Sequence, residues 1–410
     1  MTGYMRRSIV SCLLVWLVMA TAGCRHQPVY PQVGSLYISS IPNNAEISIN
    51  GEFTGRKTPD RIDGLPAGDV ELSLRYMGYK LWRQITTVKP GQTKMVNVKM
   101  NTIKPQILGQ VNIGIGGNDM AMDHIRGKLY LANNTFGYIP VYGVHEDNVD
   151  LIKKIDISQK QYLVVVDEPL AKAYFLLPGD TLLVISTLDD NVIRKKILET
   201  GHGYTSFAVS PNGRWLVLGS ADSLLLVYDA LTDSMIFQQR IGCPVKHLLF
   251  DNQGDRLYIA GGDSKCLVVF DLATRTEVRH INNDRTVERL FIDKQGRVLG
   301  ICNGPQLTIQ AAYVGDWQFA TSRTFQGLTV PDACFATDGI HAWVLECTPG
   351  GDPLPPPSSV CLLYRPTWQG ITHYTLGLYA KRMISSDDGR YIYIMQYTSR
   401  NIAILKTDTE

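Results

Sequence analysis

The sequence predicts an all-β protein, with a small β-sandwich followed by a ring of seven four-stranded sheets. Short apolar runs alternate with polar residues, and Gly, Pro and Asn interrupt them, which is typical of strands joined by tight turns. After residue 105, a unit of about forty residues recurs seven times. We expect a signal peptide at 1–23, a linker at 24–33, the sandwich at 34–100, a second linker at 101–105 and the repeats at 106–410.

The composition is that of a globular protein with balanced charge. Hydrophobic residues make up 45% and charged residues 19% of the 410 residues, which favours a packed core over disorder. Lys and Arg together number 40, and Asp and Glu number 38. Loss of Arg6 and Arg7 with the signal peptide leaves 38 of each sign. Nucleic-acid binding needs clustered cations, so this balance excludes a nucleic-acid partner.

The first residues resemble a lipoprotein signal. Arg6 and Arg7 precede the apolar run 9–20, which is too short to span a bilayer and therefore predicts a signal peptide. The segment Thr21-Ala22-Gly23-Cys24 resembles a bacterial lipobox. The resemblance implies cleavage before Cys24, a diacylglycerol on its thiol and acylation of the new amino terminus. A cysteine that lies beside an ordinary cleavage site by chance is the alternative.

The residue after Cys24 is Arg25, not Asp, which in such lipoproteins favours the outer membrane. We therefore expect a lipid anchor through Cys24, with the periplasmic face of the outer membrane favoured over the cell surface. Membrane lipid is then the first expected partner.

Residues 34–100 predict a β-sandwich. Val70, Leu72 and Leu74 alternate with polar residues, and Asn50-Gly51 is a hairpin turn sequence that accepts positive φ. The segment resembles the PEGA domain family over its whole length. The matching stretches are Gly34-Ser35-Leu36, Pro42-Asn43-Asn44-Ala45, Ile49-Asn50-Gly51, Gly55, Thr58-Pro59, Leu65-Pro66-Ala67-Gly68 and Gly78-Tyr79. The resemblance implies a non-catalytic surface module.

The remaining residues repeat. The copies at 205–229, 246–271 and 381–405 each read strand, glycine turn, strand, turn, strand. A four-stranded sheet cannot bury both faces alone, so seven such units favour a closed ring. The glycine turns predict the unit boundaries, with one turn near Leu170 that lacks glycine; the glycines are Gly127, Gly213, Gly254, Gly296, Gly339 and Gly389.

This pattern resembles seven-bladed β-propellers of the WD-repeat and YVTN-repeat kind. Tyr228-Asp229 and Phe270-Asp271 occupy the place of the Trp-Asp dipeptide, and Gly201-His202 that of the Gly-His pair. The last unit has only three strands of its own, so we expect Gln106–Ile113 to supply its outer strand and join the two ends of the domain.

No catalytic, cofactor or metal motif appears. The eight histidines are scattered without metal-ligand spacing, and no cysteine pair has the CxxC pattern of a zinc site. We expect no catalytic residue, no cofactor and no metal.

The repeat register suggests a ring of residues at one mouth of the central channel. Counting back about eight residues from each turn glycine gives the start of each innermost strand. These positions form either a salt-bridge ring that closes the channel or a site for a small polar ligand or a peptide tail. The ring is Asp119, Tyr162, Tyr204, Lys246, Glu288, Asp332 and Lys381.

An unusual proline-rich stretch interrupts the sixth unit. We expect a Cys347–Cys361 disulfide to close this loop, since an exported protein meets an oxidising compartment. A polyproline II segment would offer a partner-binding surface, and a tolerated insertion is the alternative. The candidate partner residues are Pro353, Pro355, Pro356 and Pro357.

These observations favour a structural or interaction scaffold in a large cell-envelope complex, with other envelope proteins, and peptidoglycan, as partners. One alternative is a periplasmic propeller enzyme resembling lactonases or quinoproteins, which needs carboxylates or histidines that converge in the channel. The other is glycan binding, which needs exposed aromatic residues, with Trp317, Trp343 and Trp368 as candidates.

Overall fold

The computed structural model describes residues 32–303, 308–324, 329–347 and 357–409. Within these ranges the protein contains 35 strands and no helix, as the sequence predicts. The described chain therefore has no helix with the length and apolar character needed to cross a membrane. The chain divides into two compact units. The first unit comprises the chain up to Tyr76 together with Leu81–Asn101. The second unit comprises Met77–Lys80 and the chain from Thr102 onward.

The described part of the first unit forms two sheets, a three-stranded sheet in the order β4-β1-β7 and a four-stranded sheet in the order β3-β2-β5-β6. Its strands are β1 (Val33–Ile41), β2 (Glu46–Ile49), β3 (Glu52–Lys57), β4 (Asp60–Pro66), β5 (Gly68–Arg75), β6 (Trp82–Val88) and β7 (Thr93–Lys99).

Alternation along these strands buries one face of each sheet. Leu36 and Ile38 of β1 are fully buried, as are Leu72 and Leu74 of β5. The turn between β2 and β3 has φ values of 50° at Asn50 and 83° at Gly51, which confirms the predicted hairpin.

The second unit contains, among its described residues, seven antiparallel four-stranded sheets. The strands of the first four sheets are β9 (Gly117–Asp123), β10 (Lys128–Asn133), β11 (Tyr138–His145) and β12 (Asn148–Asp156); β13 (Leu163–Asp167), β14 (Lys172–Leu177), β15 (Thr181–Ser186) and β16 (Val192–Ile197); β17 (Tyr204–Val209), β18 (Trp215–Ser220), β19 (Leu224–Asp229) and β20 (Ser234–Arg240); and β21 (His247–Phe250), β22 (Arg256–Ala260), β23 (Cys266–Asp271) and β24 (Thr276–Asn282).

The other three sheets follow the same order, except that the last sheet takes its fourth strand from the start of the unit. Their strands are β25 (Arg289–Ile292), β26 (Val298–Asn303), β27 (Thr308–Tyr313) and β28 (Ala320–Thr324); β29 (Thr329–Phe335), β30 (His341–Cys347), β31 (Pro357–Tyr364) and β32 (Gln369–Leu378); and β33 (Ala380–Ser385), β34 (Tyr391–Gln396) and β35 (Asn401–Lys406) with β8 (Gln106–Asn112).

Strand β8 pairs antiparallel with β35, from Asn112 opposite Asn401 to Gln106 opposite Lys406. The predicted outer strand of the last sheet is therefore confirmed. The first strands of successive sheets contact one another from β9 to β33, and β33 contacts β9.

The turn between the first two strands of each sheet requires a left-handed residue. Six of the seven described turns place glycine there, for example Gly213 with φ 67° and Gly389 with φ 72°. The remaining turn has Ala171 with φ 53°, which confirms a turn near Leu170 without glycine.

The predicted Cys347–Cys361 disulfide is wrong. Cys347 lies opposite Ser358, three residues before Cys361 on the neighbouring strand. Because side chains alternate between the faces of a sheet, the two thiols point to opposite faces and do not bond to each other.

The disulfide in the described chain joins Cys243 to Cys266 instead, with Cα atoms 6.4 Å apart. The proline-rich segment with Pro353, Pro355 and Pro356 lies outside the described residues, as does Cys24, while Pro357 begins β31.

Candidate functional site

A cavity of about 470 Å³ lies where the first strands of the seven sheets converge. Its lining comes from β9, β13, β17, β21, β25, β29 and β33. The sequence repeats therefore place one short strand of each sheet around a common space. The volume is in the range of small-molecule sites.

One register position on each of these strands forms what we call the inner ring. Each member lines the cavity and directly precedes an apolar residue that packs in a core. Five of the seven members are charged groups or histidine. The ring consists of Asp119, Leu163, Ser206, His247, Arg289, Asp332 and Arg382.

Two ion pairs join members of the inner ring on neighbouring sheets. The Nε of Arg382 donates to Oδ1 of Asp119 at 2.8 Å, and the Nε of Arg289 donates to Oδ1 of Asp332 at 2.6 Å. The Asp332 side chain is 4% exposed and the Arg289 side chain 25% exposed. Burial opposes the charge on Arg382, but Asp119 and Asp332 outweigh it and raise the pKa of Arg382.

The second oxygen of each carboxylate binds the backbone of another sheet. Oδ2 of Asp119 accepts from the Val164 N–H at 3.2 Å, and Oδ2 of Asp332 accepts from the Met383 N–H at 3.0 Å. Each aspartate therefore joins two partners, one a guanidinium and one a backbone amide. Charge-assisted bonds of this kind are the stronger class of protein hydrogen bonds.

Ser206 and His247 repeat this arrangement without charge. The Ser206 Oγ accepts from the Leu248 N–H at 3.1 Å, and the His247 Nδ1 accepts from the Leu290 N–H at 3.3 Å. Burial, followed by the nearby arginines, lowers the pKa of His247 well below its usual value. His247 is therefore a neutral acceptor.

The predicted channel-mouth ring agrees with the structure only in part. Asp119, Lys246 and Asp332 line the cavity, whereas Tyr162, Tyr204, Glu288 and Lys381 are not in its lining. In most sheets the inner-ring residue lies one or two positions closer to the turn glycine than we counted. A one-residue error moves a side chain to the other face of a strand, and β-bulges near the starts of β17 and β33 add to it.

Several residues of the predicted ring contact side chains outside the inner ring. Lys246 and Glu288 form an ion pair at 3.4 Å, and the Lys381 Nζ lies 4.1 Å from the centre of the Tyr397 ring. The expected pairing of opposite charges is present for Lys246 and Glu288. Sequence reasoning missed Leu163, Ser206, His247, Arg289 and Arg382. For the last four, the usable signal was a polar residue directly before the buried apolar position of the first strand.

His124 joins three sheets near the turn after β9. Its Nδ1 lies 2.5 Å from Oε1 of Glu168, its Nε2 lies 3.0 Å from the carbonyl oxygen of Ser385, and its backbone N–H donates to the same Glu168 oxygen at 3.0 Å. Burial lowers the pKa of His124, but the bonds to Glu168 and Ser385 outweigh it and raise that pKa. Burial likewise opposes ionisation of Glu168, yet the bonds from His124 lower the pKa of Glu168.

We expect His124→Ala to cost about 1–2 kcal/mol of unfolding free energy near pH 6, because a charge-assisted bond between partly buried groups is lost. The stabilisation that His124 contributes to the folded state is fully present below its ordinary pKa of 6.5. It is lost as the pH rises through the raised pKa of His124 in the folded protein. The contribution of Glu168 is lost as the pH falls through its lowered pKa. Urea unfolding of both proteins between pH 5 and 9 measures this difference.

The matched control is His280→Ala, since His280 pairs with Glu277 at 2.9 Å on an exposed strand. This exposed pair should contribute less than about 1 kcal/mol. A destabilisation by His124→Ala that stays constant or grows toward pH 9 would contradict the charged pair.

The three candidate tryptophans do not form an exposed aromatic surface. Trp343 is 1% exposed in a core. Trp317 packs beside Tyr258 with ring centres 5.9 Å apart, and Trp368 packs on Phe335 at 6.4 Å. Trp343 is therefore inaccessible, whereas Trp317 and Trp368 are half-buried, and the glycan-binding alternative stays a prediction.

A second group of polar residues lies on the sixth sheet, away from the inner ring. One ligand atom each from Glu346, Cys361 and His373 lie within 4.8 Å of one another. The sequence did not indicate this cluster, because its members come from three different strands and have no local spacing motif.

Comparison with known proteins gives information on one part of the chain. No curated protein matches the sequence. The family model of the PEGA domain matches residues 33–104. This match covers the two sheets of the first unit, where the sequence resemblance was found. Residues 33–104 of this protein are a PEGA domain.

Proposed function

We propose that this protein is a lipid-anchored outer-membrane scaffold whose second unit is a seven-bladed β-propeller. In this proposal Cys24 carries the lipid, and the PEGA domain and the propeller bind other proteins of an envelope complex. The channel of the propeller fastens the blades together and performs no chemistry.

Bonds between neighbouring first strands support closure of the seven sheets. Among the described residues, inner-ring side chains bond six of the seven neighbouring pairs of sheets, including the pair formed by the first and last sheets. At the seventh junction, between β13 and β17, Leu163 packs with the apolar core that contains Phe207. Each pair of neighbouring sheets is thus joined by a hydrogen bond, an ion pair or an apolar contact between first strands.

The observation that carries the scaffold proposal is the complete engagement of the two inner-ring carboxylates. Asp119 and Asp332 each use both oxygens on a guanidinium and a backbone amide. A general base or metal ligand would need to release one of these bonds, which stabilise the contact between blades. The arrangement therefore favours a rigid platform.

A propeller enzyme is the second candidate, because two carboxylates, two guanidinium groups and His247 do converge on a cavity of about 470 Å³. His247 is the residue best suited to proton transfer, since it is neutral and lines the cavity. Its Nδ1, however, accepts the Leu290 N–H, which leaves Nε2 for a ligand. Saturable binding of a small anion or lactone that His247→Gln abolishes would favour this candidate.

We expect Cys24→Ser to release the protein from the outer membrane into the soluble periplasmic fraction. Each buried methylene of an acyl chain contributes ~0.8 kcal/mol, so several chains give an essentially permanent anchor that one missing thiol removes. Fractionation of intact cells and mass spectrometry of the mature amino terminus measure both consequences. Cys12→Ser, which lies in the expected signal peptide, is the control and should leave the anchor intact.

Cross-linking in intact envelopes then tests the scaffold. The wild-type protein should be recovered with a constant set of envelope proteins, and Cys24→Ser with less of them. A mature protein that retains residues 1–23, or carries an unmodified residue 24, would overturn the anchor. An anchored protein recovered without partners would overturn the scaffold.

A further inference from the structure

Three potential metal ligands share one face of the sixth sheet. Cys361 on β31 lies directly opposite His373 on β32 and opposite Val344 on β30. Glu346 is two residues beyond Val344, so alternation places it on the same face as Cys361. The Oε2 of Glu346 lies 3.4 Å from the Nδ1 of His373, and the thiol lies within 4.8 Å of both.

The burial of these side chains is unequal. Glu346 is 2% exposed and Cys361 is 3% exposed, whereas the side chain of His373 is 53% exposed. A carboxylate and a thiol thus lie in the interior beneath an imidazole that reaches solvent. Buried carboxylates are rare unless they are paired or bind a metal, since burial removes the water that stabilises the charge.

We propose that Glu346, Cys361 and His373 form a binding site for a divalent transition metal of the zinc type. One oxygen, one sulfur and one nitrogen ligand leave a fourth tetrahedral position for water, which the exposed side of His373 can admit. Metal–ligand bonds of about 2.0–2.3 Å place tetrahedral ligand atoms roughly 3.3–3.8 Å apart. The pair formed by Glu346 and His373 already has this separation, and the sulfur lies within 4.8 Å of both ligand atoms.

Binding converts the thiol of Cys361 to a thiolate, and its proton passes to solvent. The carboxylate and the thiolate then balance the two charges of the ion. Arg323 of the preceding sheet is the opposing cation near the cluster, and its guanidinium donates to the carbonyl oxygen of Trp368 at 3.2 Å. The competing arrangement is metal-free: Glu346 pairs with His373 and accepts hydrogen bonds from the Cys361 thiol and, at 3.5 Å, from the Ser359 hydroxyl.

Titration of the full-length protein with Zn²⁺ and Co²⁺ after chelator treatment distinguishes the two arrangements. We expect one bound Zn²⁺ per chain by mass spectrometry under non-denaturing conditions. We also expect a near-ultraviolet sulfur-to-cobalt charge-transfer band, which a site of carboxylate and imidazole alone does not give. His373→Ala, whose side chain is largely exposed, should fold normally and weaken Zn²⁺ binding on the order of 100-fold, at the upper end for loss of groups that support a metal site.

Two controls match the variants. His280→Ala removes a similar surface pair, with Glu277, that has no thiol beside it, and it should leave both signals unchanged. Cys361→Ser should abolish the cobalt band, whereas Cys334→Ser should retain it. Absence of stoichiometric Zn²⁺, or a cobalt band that survives Cys361→Ser, would overturn the proposal. Neither outcome affects the lipid anchor or the scaffold, which are tested separately.

Discussion

Asp332→Ala should destabilise the second unit by about 3 kcal/mol. Asp332 is buried and holds the Arg289 guanidinium and the Met383 amide, which belong to the sheets on either side of it. Its loss leaves a partly buried cation without its counter-charge and an amide without an acceptor. Removal of one partner from a buried pair costs roughly 3–5 kcal/mol, and the partial exposure of Arg289 favours the lower end of that range.

Urea unfolding followed by tryptophan fluorescence measures this loss as a lower transition midpoint. Glu288→Ala is the matched control, since Glu288 directly precedes Arg289 and is an acidic partner in an ion pair outside the inner ring. Its ion pair with Lys246 is half exposed and should contribute less than about 1 kcal/mol. Equal effects from Asp332→Ala and Glu288→Ala would show that the inner ring does not fasten the sheets.

The double variant Cys243→Ala/Cys266→Ala should lose about 3 kcal/mol of unfolding free energy. The two cysteines are 23 residues apart, and closure of a loop of this length removes conformational entropy from the unfolded chain. Both residues are buried, so the bond should also be slow to reduce in the folded protein. Unfolding with and without reductant measures the contribution, and the double variant should be insensitive to reductant.

A second double variant, Cys347→Ala/Cys361→Ala, separates the two possible pairings. Reductant should lower the unfolding free energy of this variant as much as it does that of the wild-type protein. The reason is that Cys347 and Cys361 lie on opposite faces of their sheet and form no disulfide with each other. If this variant instead becomes insensitive to reductant, the Cys243–Cys266 assignment is wrong. Peptide mapping without reductant provides an independent measurement of the same pairing.

The scaffold proposal and the metal-site proposal place different demands on the second unit. The inner ring uses its charges to join sheets, and the platform needs these bonds to persist when a partner binds. The cluster on the sixth sheet lies on strands β30 to β32 and shares no side chain with the inner ring. A bound ion would join three strands of one sheet and add to the rigidity of that sheet.

The sequence by itself determined the features that depend on neighbouring residues. Alternation of apolar and polar residues predicted an all-β chain, and Asn50-Gly51 predicted a hairpin because both residues accept positive φ. The recurring turn glycines predicted the repeated sheets. The turn at Ala171 lacks glycine, but the regular spacing between Gly127 and Gly213 predicted a turn near this position. The last repeat contains only three strands, which predicted that Gln106–Ile113 pairs with it as the fourth strand.

Only the tertiary structure decided which side chains meet. Sequence spacing placed the channel ring on Tyr204 and Glu288, whereas Ser206 and Arg289 face the cavity, because a shift of one residue or a β-bulge exchanges the faces of a strand. The pairing of Cys243 with Cys266, and the meeting of Cys361 with His373, depend on the register between strands that turns and loops connect. Local periodicity fixes which residues form a strand, but inter-strand register and the contacts between sheets fix the partners of each side chain.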